Sequence, residues 1–206
     1  MDDIRILIVD DHQIVLKGLL QLVLETLGQD TVIDTASSVA EIKSCLDRNS
    51  YTLCILDIEL PGFKDLDLLH RLRRDHPDMK IIINTIHEQI WYVKEFMAAD
   101  VEGILFKNND VREISTAIRT VIDDGRYYCR SARVLKNDLP NHTYPTHREI
   151  QVLKALAEGY TTEEISRLLK ISIYTTESHR RHLLEKLDAR NVAELIMKAT
   201  RHGIIT

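Results

Sequence analysis

Five polar residues follow apolar runs in the first half of the chain, and their types suit phosphoryl chemistry. The runs and the residues that follow them are ILIV with Asp10 and Asp11, LCIL with Asp57, IIIN with Thr85, and GILF with Lys107. If each run is a buried parallel strand, these side chains emerge at the edge of the sheet where open α/β sheets bind ligands. Carboxylates, a hydroxyl and an ammonium at that edge predict a site for Mg²⁺ and a phosphoryl group.

Each residue type has a distinct role in such a site. An Asp carboxylate can act as a nucleophile and form an aspartyl phosphate, and we predict that Asp57 is this acceptor. Asp10 and Asp11 would hold Mg²⁺, since it prefers carboxylates, waters and phosphate oxygens. The Lys107 ammonium would compensate for the charge of the phosphate, and the Thr85 hydroxyl would donate a hydrogen bond to it.

Apolar runs alternate with amphipathic segments throughout the first half of the chain. The runs predict strands over Ile4–Val9, Thr31–Ala36, Leu53–Leu56, Ile81–Ile83 and Gly103–Phe106. The segments between them predict helices over His12–Leu27, Val39–Asn49, Leu66–Asp75, Gln89–Ala99 and Asp110–Asp124. Such alternation indicates right-handed crossovers and a sheet covered on both faces. The predicted fold is α/β, with a five-stranded doubly wound parallel sheet.

The charge of the chain is unevenly distributed. Its 206 residues carry a net charge of −5. Residues 1–125 contain 13 Lys/Arg and 23 Asp/Glu, whereas residues 126–206 contain 14 Lys/Arg and 9 Asp/Glu. A basic second half beside an acidic first half makes nucleic acid a candidate partner of the second half.

The composition also indicates the cellular compartment of the protein. No run approaches the roughly 18–20 apolar residues of a membrane helix, and the acidic N-terminus is unlike a signal peptide. Cys45, Cys54 and Cys129 lack metal-ligand spacing, and we interpret them as free thiols in a reducing environment. We therefore expect a cytoplasmic protein without membrane association.

The second half has helical periodicity only. We predict domains at residues 1–125 and 144–206, joined by a linker at 126–143 that includes a short helix. Four helices follow: one capped by Thr146 and stopped by Gly159, one capped by Thr161 or Thr162, one opened by Ser172, and one that runs from Asn191 to Gly203. The short second and longer third helices have the layout of a helix-turn-helix, in which the third enters the major groove of DNA.

The first half resembles the receiver domain of bacterial response regulators. The matching motifs are VDDH at 9–12, D-x-x-L-P-G at 57–62, TIHE at 85–88 and GILFK at 103–107. The resemblance implies that Asp57 is the phospho-acceptor and that Thr85 and Lys107 stabilise the phosphate. It also implies Mg²⁺ ligands, which would be Asp10, Asp11, Asp57 and the backbone carbonyl of Glu59. Ile104 stands where many receivers carry an aromatic residue that turns inward on activation.

The second half resembles the LuxR-type helix-turn-helix of the NarL/FixJ family. The matching motifs are T-x-R-E at 146–149, LAEG at 156–159, EIS at 164–166, TTESH at 175–179 and GII at 203–205. The resemblance implies DNA contacts by Tyr174, Thr175, Glu177, Ser178, Arg180, Arg181 and His182. It also implies a dimer-forming last helix, with Val192, Leu195, Ile196 and Ala199 as core or interface. We expect His179 and His182 to pack or to contact phosphate rather than to bind a metal.

Together the two halves predict a two-component response regulator that is not an enzyme. A sensor histidine kinase would phosphorylate Asp57, and the phosphorylated protein would bind double-stranded DNA as a homodimer and control transcription. One alternative is a phosphorylation-independent DNA-binding protein whose receiver is a dimerisation or adaptor scaffold. The other is an aspartyl-phosphate hydrolase, which is disfavoured because Asp57 lacks the second Asp that haloacid-dehalogenase-type phosphatases carry two positions on.

Overall fold

The computed structural model of the protein describes residues 4–61, 66–137, 144–201 and 204–205. The chain divides into two compact units, one of residues 1–88 and 96–134 and the other of residues 89–95 and 135–206. The first unit contains a β-sheet, and the second contains the C-terminal helices. No helix in the described parts of the chain has the length and apolar content that a bilayer span requires.

A six-stranded sheet forms the centre of the first unit. Its strands are Arg5–Val9 (β1), Val32–Ala36 (β2), Leu53–Leu56 (β3), Lys80–Thr85 (β4), Gly103–Phe106 (β5) and Tyr127–Tyr128 (β6). They lie in the order β2-β1-β3-β4-β5-β6, and all neighbours pair in parallel. The five predicted strands are confirmed. The sixth was not predicted, because two residues are too few to leave a hydrophobic period.

The order of the strands fixes where a ligand site forms. The chain winds to one side of β1 to form β2 and then to the other side to form β3 and the strands beyond it. In open sheets of this kind, ligands bind beyond the carboxyl ends of the strands at the point where the winding reverses. That point lies between β1 and β3, which are followed by Asp10 and Asp57.

The sheet is buried on both faces. Every residue of β3 and β5 is buried, although successive side chains of a strand point to opposite faces. The helices of this part of the chain are Gln13–Leu27 (α1), Val39–Arg48 (α2), Asp67–Asp75 (α3), Ile90–Ala98 (α4), Val111–Ile122 (α5) and Arg130–Asn137 (α6). Gly103 allows β4 and β5 to pack closely, since a Cβ there would lie 2.6 Å from Ile82 Cγ1.

The first part of the predicted linker, residues 126–143, is structured. β6 pairs with β5, and α6 follows it directly. Cys129 and Ala132 in this segment are fully buried. Residues 138–143 of the linker lie outside the described residues, and the domain boundaries stay predictions.

Four helices form the C-terminal part of the second unit. They are His147–Ala157 (α7), Thr162–Leu169 (α8), Ile173–Lys186 (α9) and Val192–Arg201 (α10). Thr146 and Thr161 cap α7 and α8 through reciprocal capping boxes, and the Ser172 hydroxyl caps α9. The predicted end of the last helix at Gly203 lies outside the described residues. The buried side chains that hold these helices together include Ile150, Leu153, Ile165, Leu183 and Leu195.

Candidate functional site

The residues predicted for phosphoryl chemistry are anchored where neighbouring strands end. The Asp57 N–H donates to the Val9 carbonyl at 2.9 Å, and the Lys107 N–H donates to the Thr85 carbonyl at 2.8 Å. These bonds continue the β1–β3 and β4–β5 ladders by one residue. The sheet register therefore sets the positions of these side chains.

Lys107 bridges two buried carboxylates at this edge. Its Nζ lies 2.7 Å from Asp10 Oδ2 and 2.7 Å from Asp57 Oδ2. The Asp10 and Asp57 side chains are 1% and 2% exposed, and the Lys107 side chain is 16% exposed. Two carboxylates at this depth repel each other and are poorly solvated, so the shared cation is needed to hold them together.

Burial and charge pairing act in opposite directions on these groups. Burial raises the pKa of the Asp57 carboxyl, and the hydrogen bond from Lys107 offsets only part of the rise. For Lys107, burial lowers the pKa, but the hydrogen bonds to Asp10 and Asp57 outweigh it, so that the pKa is raised. The lysine therefore presents a fixed positive charge beside Asp57 at neutral pH.

The loops after β3 and β4 are tied to the site and to each other. Asp57 Oδ1 accepts the Glu59 N–H at 3.2 Å, and the buried Thr85 hydroxyl accepts the His87 N–H at 3.2 Å. The side chains of the two loop residues also meet, with His87 Nε2 2.8 Å from Glu59 Oε1. This pairing was not predicted. Its signal in the sequence is the equal spacing, two residues after Asp57 and two after Thr85.

Four side chains at this edge could hold a metal ion. Ligand atoms of Asp10, Asp11, His12 and Asp57 all lie within 4.8 Å of one another. The carboxylates suit a hard cation such as Mg²⁺. His12 was not predicted as a site residue, and its Nδ1 lies 2.7 Å from Asp11 Oδ1 and 3.3 Å from Asp10 Oδ1. We interpret it as a partner of the acidic pair, because imidazole suits transition metals better.

In the second unit, α9 has a buried side and an exposed side, as predicted for a recognition helix. Thr176 and Leu183 are fully buried. The other side presents most of the predicted DNA contacts, with Tyr174, Glu177, Arg181 and His182 exposed and Ser178 half-buried. Tyr174 is 80% exposed, which is unusual for an aromatic side chain that does not bind another molecule.

Two of the predicted DNA contacts, Arg180 and Thr175, form hydrogen bonds within the second unit. An Arg180 guanidinium nitrogen donates to the Thr162 hydroxyl at the start of α8. The Thr175 N–H donates to the Ser172 hydroxyl at 3.0 Å, as part of the cap of α9. Arg180 is half-buried, whereas Arg181 is exposed. Of these two arginines, Arg181 is therefore the one placed to reach a molecule outside the unit.

Comparisons with known proteins match both halves of the chain. A family model described as the response regulator receiver domain matches residues 6–119, and one described as bacterial regulatory proteins, luxR family, matches residues 146–199. The chain belongs to the response regulator family. It is a response regulator of the NarL/FixJ type, in which a receiver is joined to a LuxR-type DNA-binding domain. Such proteins are transcription regulators and not generally enzymes.

Individual relatives of this response regulator match over nearly the whole chain. The response regulator GacA of Pseudomonas protegens is 28% identical over 209 residues, which cover 98% of each chain. The transcriptional regulatory protein MctR of Rhizobium johnstonii is 30% identical over 207 residues, which cover 98% of this chain and 96% of MctR. RcsB from Salmonella enterica serovar Typhimurium, solved bound to the rprA promoter in the presence of BeF3−, aligns with a TM-score of 0.70. That alignment covers 97% of this chain and 99% of RcsB at 23% identity, and it shows the shared fold.

The last helix of the response regulator divides its predicted residues between core and surface. Leu195 and Ala199 are fully buried in the second unit, whereas Val192 and Ile196 are half-buried. Met197 on the same helix is 52% exposed and was not predicted. Leu195 and Ala199 therefore belong to the core, whereas Val192 and Ile196 keep part of their surface exposed.

Ile104 lies within the sheet of the receiver. It is fully buried in β5, where it pairs with Ile83 on one side and Tyr128 on the other. The aromatic residue that many receivers carry at this position is thus replaced by an aliphatic side chain. Tyr128 supplies an aromatic ring on the neighbouring strand, and its hydroxyl donates to the Val101 carbonyl at 3.3 Å.

Proposed function

We propose that Asp57 of this response regulator accepts a phosphoryl group from a sensor histidine kinase and that the modification controls sequence-specific DNA binding. The observation that carries the proposal is the Asp57 carboxylate, buried at the end of β3 with Lys107 Nζ 2.7 Å away. A buried carboxylate beside a fixed cation at the winding reversal of the sheet is suited to receive a phosphoryl group.

The transfer is an in-line displacement at phosphorus. A carboxylate oxygen of Asp57 forms the new P–O bond as the P–N bond of the donor phosphohistidine breaks, and the released imidazole takes up a proton. The Lys107 ammonium compensates for charge on the phosphoryl oxygens. Because the Thr85 oxygen accepts the His87 N–H, its own O–H proton is available to a phosphoryl oxygen.

Asp10, Asp11 and Asp57 would hold Mg²⁺, together with the backbone carbonyl of Glu59. Their carboxylate oxygens lie close enough to share one ion, and oxygen is the donor atom that Mg²⁺ prefers. When bound, the ion would neutralise charge on the incoming phosphoryl group.

DNA recognition would come from the exposed side of α9. We infer that Glu177, Ser178 and Arg181 face the bases and that Tyr174, Thr175 and His182 lie near phosphates. Arg180 would act mainly by holding α9 to α8, given its bond to Thr162. A second copy would join through α10 at Val192 and Ile196. RcsB, which shares this fold, was solved bound to promoter DNA, and this supports a role in DNA binding for the second unit.

The proposal is tested with a small phosphodonor such as acetyl phosphate, in the presence of Mg²⁺, followed by intact-protein mass spectrometry. We expect the wild type to gain one phosphoryl group and Asp57→Asn to gain none. Asp34→Asn, a half-buried Asp in β2 away from this edge, is the matched control and should be phosphorylated like the wild type. No adduct on the wild type would favour the scaffold alternative, and rapid multiple turnover would favour a hydrolase.

A further inference from the structure

A second group of metal-ligating side chains lies in the helix-turn-helix. Ligand atoms of Glu149 on α7 and of His179 and His182 on α9 all lie within 4.8 Å of one another. The two histidines are three residues apart, so they lie on the same side of the helix. We propose that these three residues form a binding site for a divalent transition metal, and that Zn²⁺ is the ion that fits it best.

The two oxygens of Glu149 have different surroundings, and one of them can serve a metal. Oε2 accepts the Thr146 N–H at 2.7 Å and lies 2.7 Å from Lys186 Nζ. Oε1 lies 3.6 Å from His182 Nδ1. A metal can therefore bind Oε1 while the capping bond and the ion pair on Oε2 remain in place.

The donor set matches the chemistry of zinc. Zn²⁺ binds imidazole nitrogens and carboxylate oxygens in a tetrahedron, and open sites keep one position for water. His182 is 46% exposed and Glu149 only 3%, so the site is reached from solvent at the histidine end. This proposal differs from our expectation that His179 and His182 pack or contact phosphate rather than bind a metal. The sequence could not show the site, because Glu149 is far from the histidines along the chain.

The position of the site links metal binding to DNA binding. It joins α7 to α9, so an ion there would stabilise the packing of these two helices. It also uses His182, which we place near the DNA phosphates. Zn²⁺ would accordingly raise the melting temperature of this unit and compete with the contact of His182 with DNA.

The experiment is a competition titration of the full-length protein with Zn²⁺ against a chromophoric chelator, in excess Mg²⁺. Because the acidic cluster of the receiver also offers ligands to the ion, all proteins carry Asp57→Asn. We expect one equivalent of Zn²⁺ to bind, and His179→Ala and His182→Ala each to weaken binding by at least about tenfold. His70→Ala, which removes an exposed histidine from α3, should leave the affinity unchanged. Equal affinities in the parent and both cluster variants would overturn the proposal.

Lys186→Met gives a second readout that does not depend on losing a histidine. The substitution removes a positive charge 2.7 Å from Glu149, so Zn²⁺ should bind more tightly than in the parent protein. It also leaves Glu149 buried without its ion pair, so added Zn²⁺ should raise the melting temperature more than it does in the parent. If Zn²⁺ changed the melting temperature of neither protein, there would be no metal site, and Glu149 and Lys186 would be a structural ion pair only.

Discussion

The phosphoryl site and the recognition helix place their functional side chains in opposite environments. Asp10, Asp57 and Thr85 are buried at strand ends, and Lys107 holds the two carboxylates before any partner arrives. On α9, Arg181 is exposed, and the DNA contact that we propose for it would form only when DNA binds. Changes in the first site should therefore alter chemistry and stability together, whereas changes on the exposed side of α9 should alter binding alone.

The largest expected effect comes from removing the cation of the buried site. Lys107→Ala should slow phosphorylation by a small phosphodonor on the order of 10²–10³-fold, since it removes a preorganised charge from the transferring group. It should also lower the melting temperature, because Asp10 and Asp57 are left as neighbouring buried carboxylates. Time-resolved mass spectrometry and thermal unfolding measure the two effects.

Lys80→Ala is the matched control for Lys107→Ala. Lys80 is similarly shielded, at 19% exposure, and its Nζ lies 2.8 Å from the Ile122 carbonyl oxygen and 2.6 Å from Asp124 Oδ1. It stands at the beginning of β4, at the opposite end of the sheet, so its loss should affect stability and leave phosphorylation intact. If Lys107→Ala were phosphorylated at the wild-type rate, the claim that the buried site depends on its preorganised cation would be wrong.

The second prediction concerns the exposed side of α9. Arg181→Ala should weaken binding to the preferred DNA site by about 1–3 kcal/mol and relax discrimination at one base position. Binding-site selection followed by fluorescence anisotropy at fixed salt measures both effects. Phosphorylation and melting temperature should not change.

Arg180→Ala separates an outside contact from an internal one. Because Arg180 donates to Thr162, this variant should lower the melting temperature, unlike Arg181→Ala. If Arg181→Ala lowered the melting temperature and Arg180→Ala did not, the assignment of inner and outer arginines on α9 would be wrong.

The third prediction separates stability from function within the phosphoryl site. Burial raises the pKa of Asp57 in the folded state, so folding favours the protonated carboxyl and stability declines as pH rises through this pKa. Asp57→Asn removes the ionised group while Asp10 remains as a partner of Lys107. At about pH 7, in a chelator, it should be more stable than the wild type by about 0.5–2 kcal/mol.

The pH dependence provides the check on this third prediction. The advantage of Asp57→Asn should shrink as the pH falls, because the raised pKa of Asp57 lets it take up its proton in the wild type. Denaturant unfolding at several pH values measures the difference. If the stability advantage of Asp57→Asn grew on acidification, pairing with Lys107 rather than burial would determine the pKa of the Asp57 carboxyl.

The difference between the buried strand ends and the exposed side of α9 also explains how much could be predicted from the sequence. Asp10, Asp57, Thr85 and Lys107 end apolar runs, and because parallel strands bring their carboxyl ends to one edge, the pattern is enough to place them together. β6 was not predicted, because a strand of two residues shows no hydrophobic period.

Contacts between distant segments could not be predicted in this way. The Glu59–His87 pair, the Arg180–Thr162 bond and the position of Glu149 beside two histidines depend on loop paths and helix packing. A helical period does assign buried and exposed sides, and on α9 the buried side includes Thr176 and Leu183. It does not show which exposed side chains turn back onto a neighbouring helix.

The smallest expected effect lies in the turn between α8 and α9. Lys170 has a left-handed backbone, with φ 53° and ψ 46°. An L-residue with a side chain is strained there, so Lys170→Gly should raise the stability of the protein by about 0.5–1 kcal/mol. Lys154→Gly, at an exposed position inside α7, should instead lower it by about 1 kcal/mol, since Gly is a poor helix former. Thermal and denaturant unfolding measure both changes. Lys170→Gly could also weaken DNA binding by an amount that depends on the salt concentration. In that case this turn contributes a phosphate contact, and the DNA-binding surface of the second unit extends beyond α9.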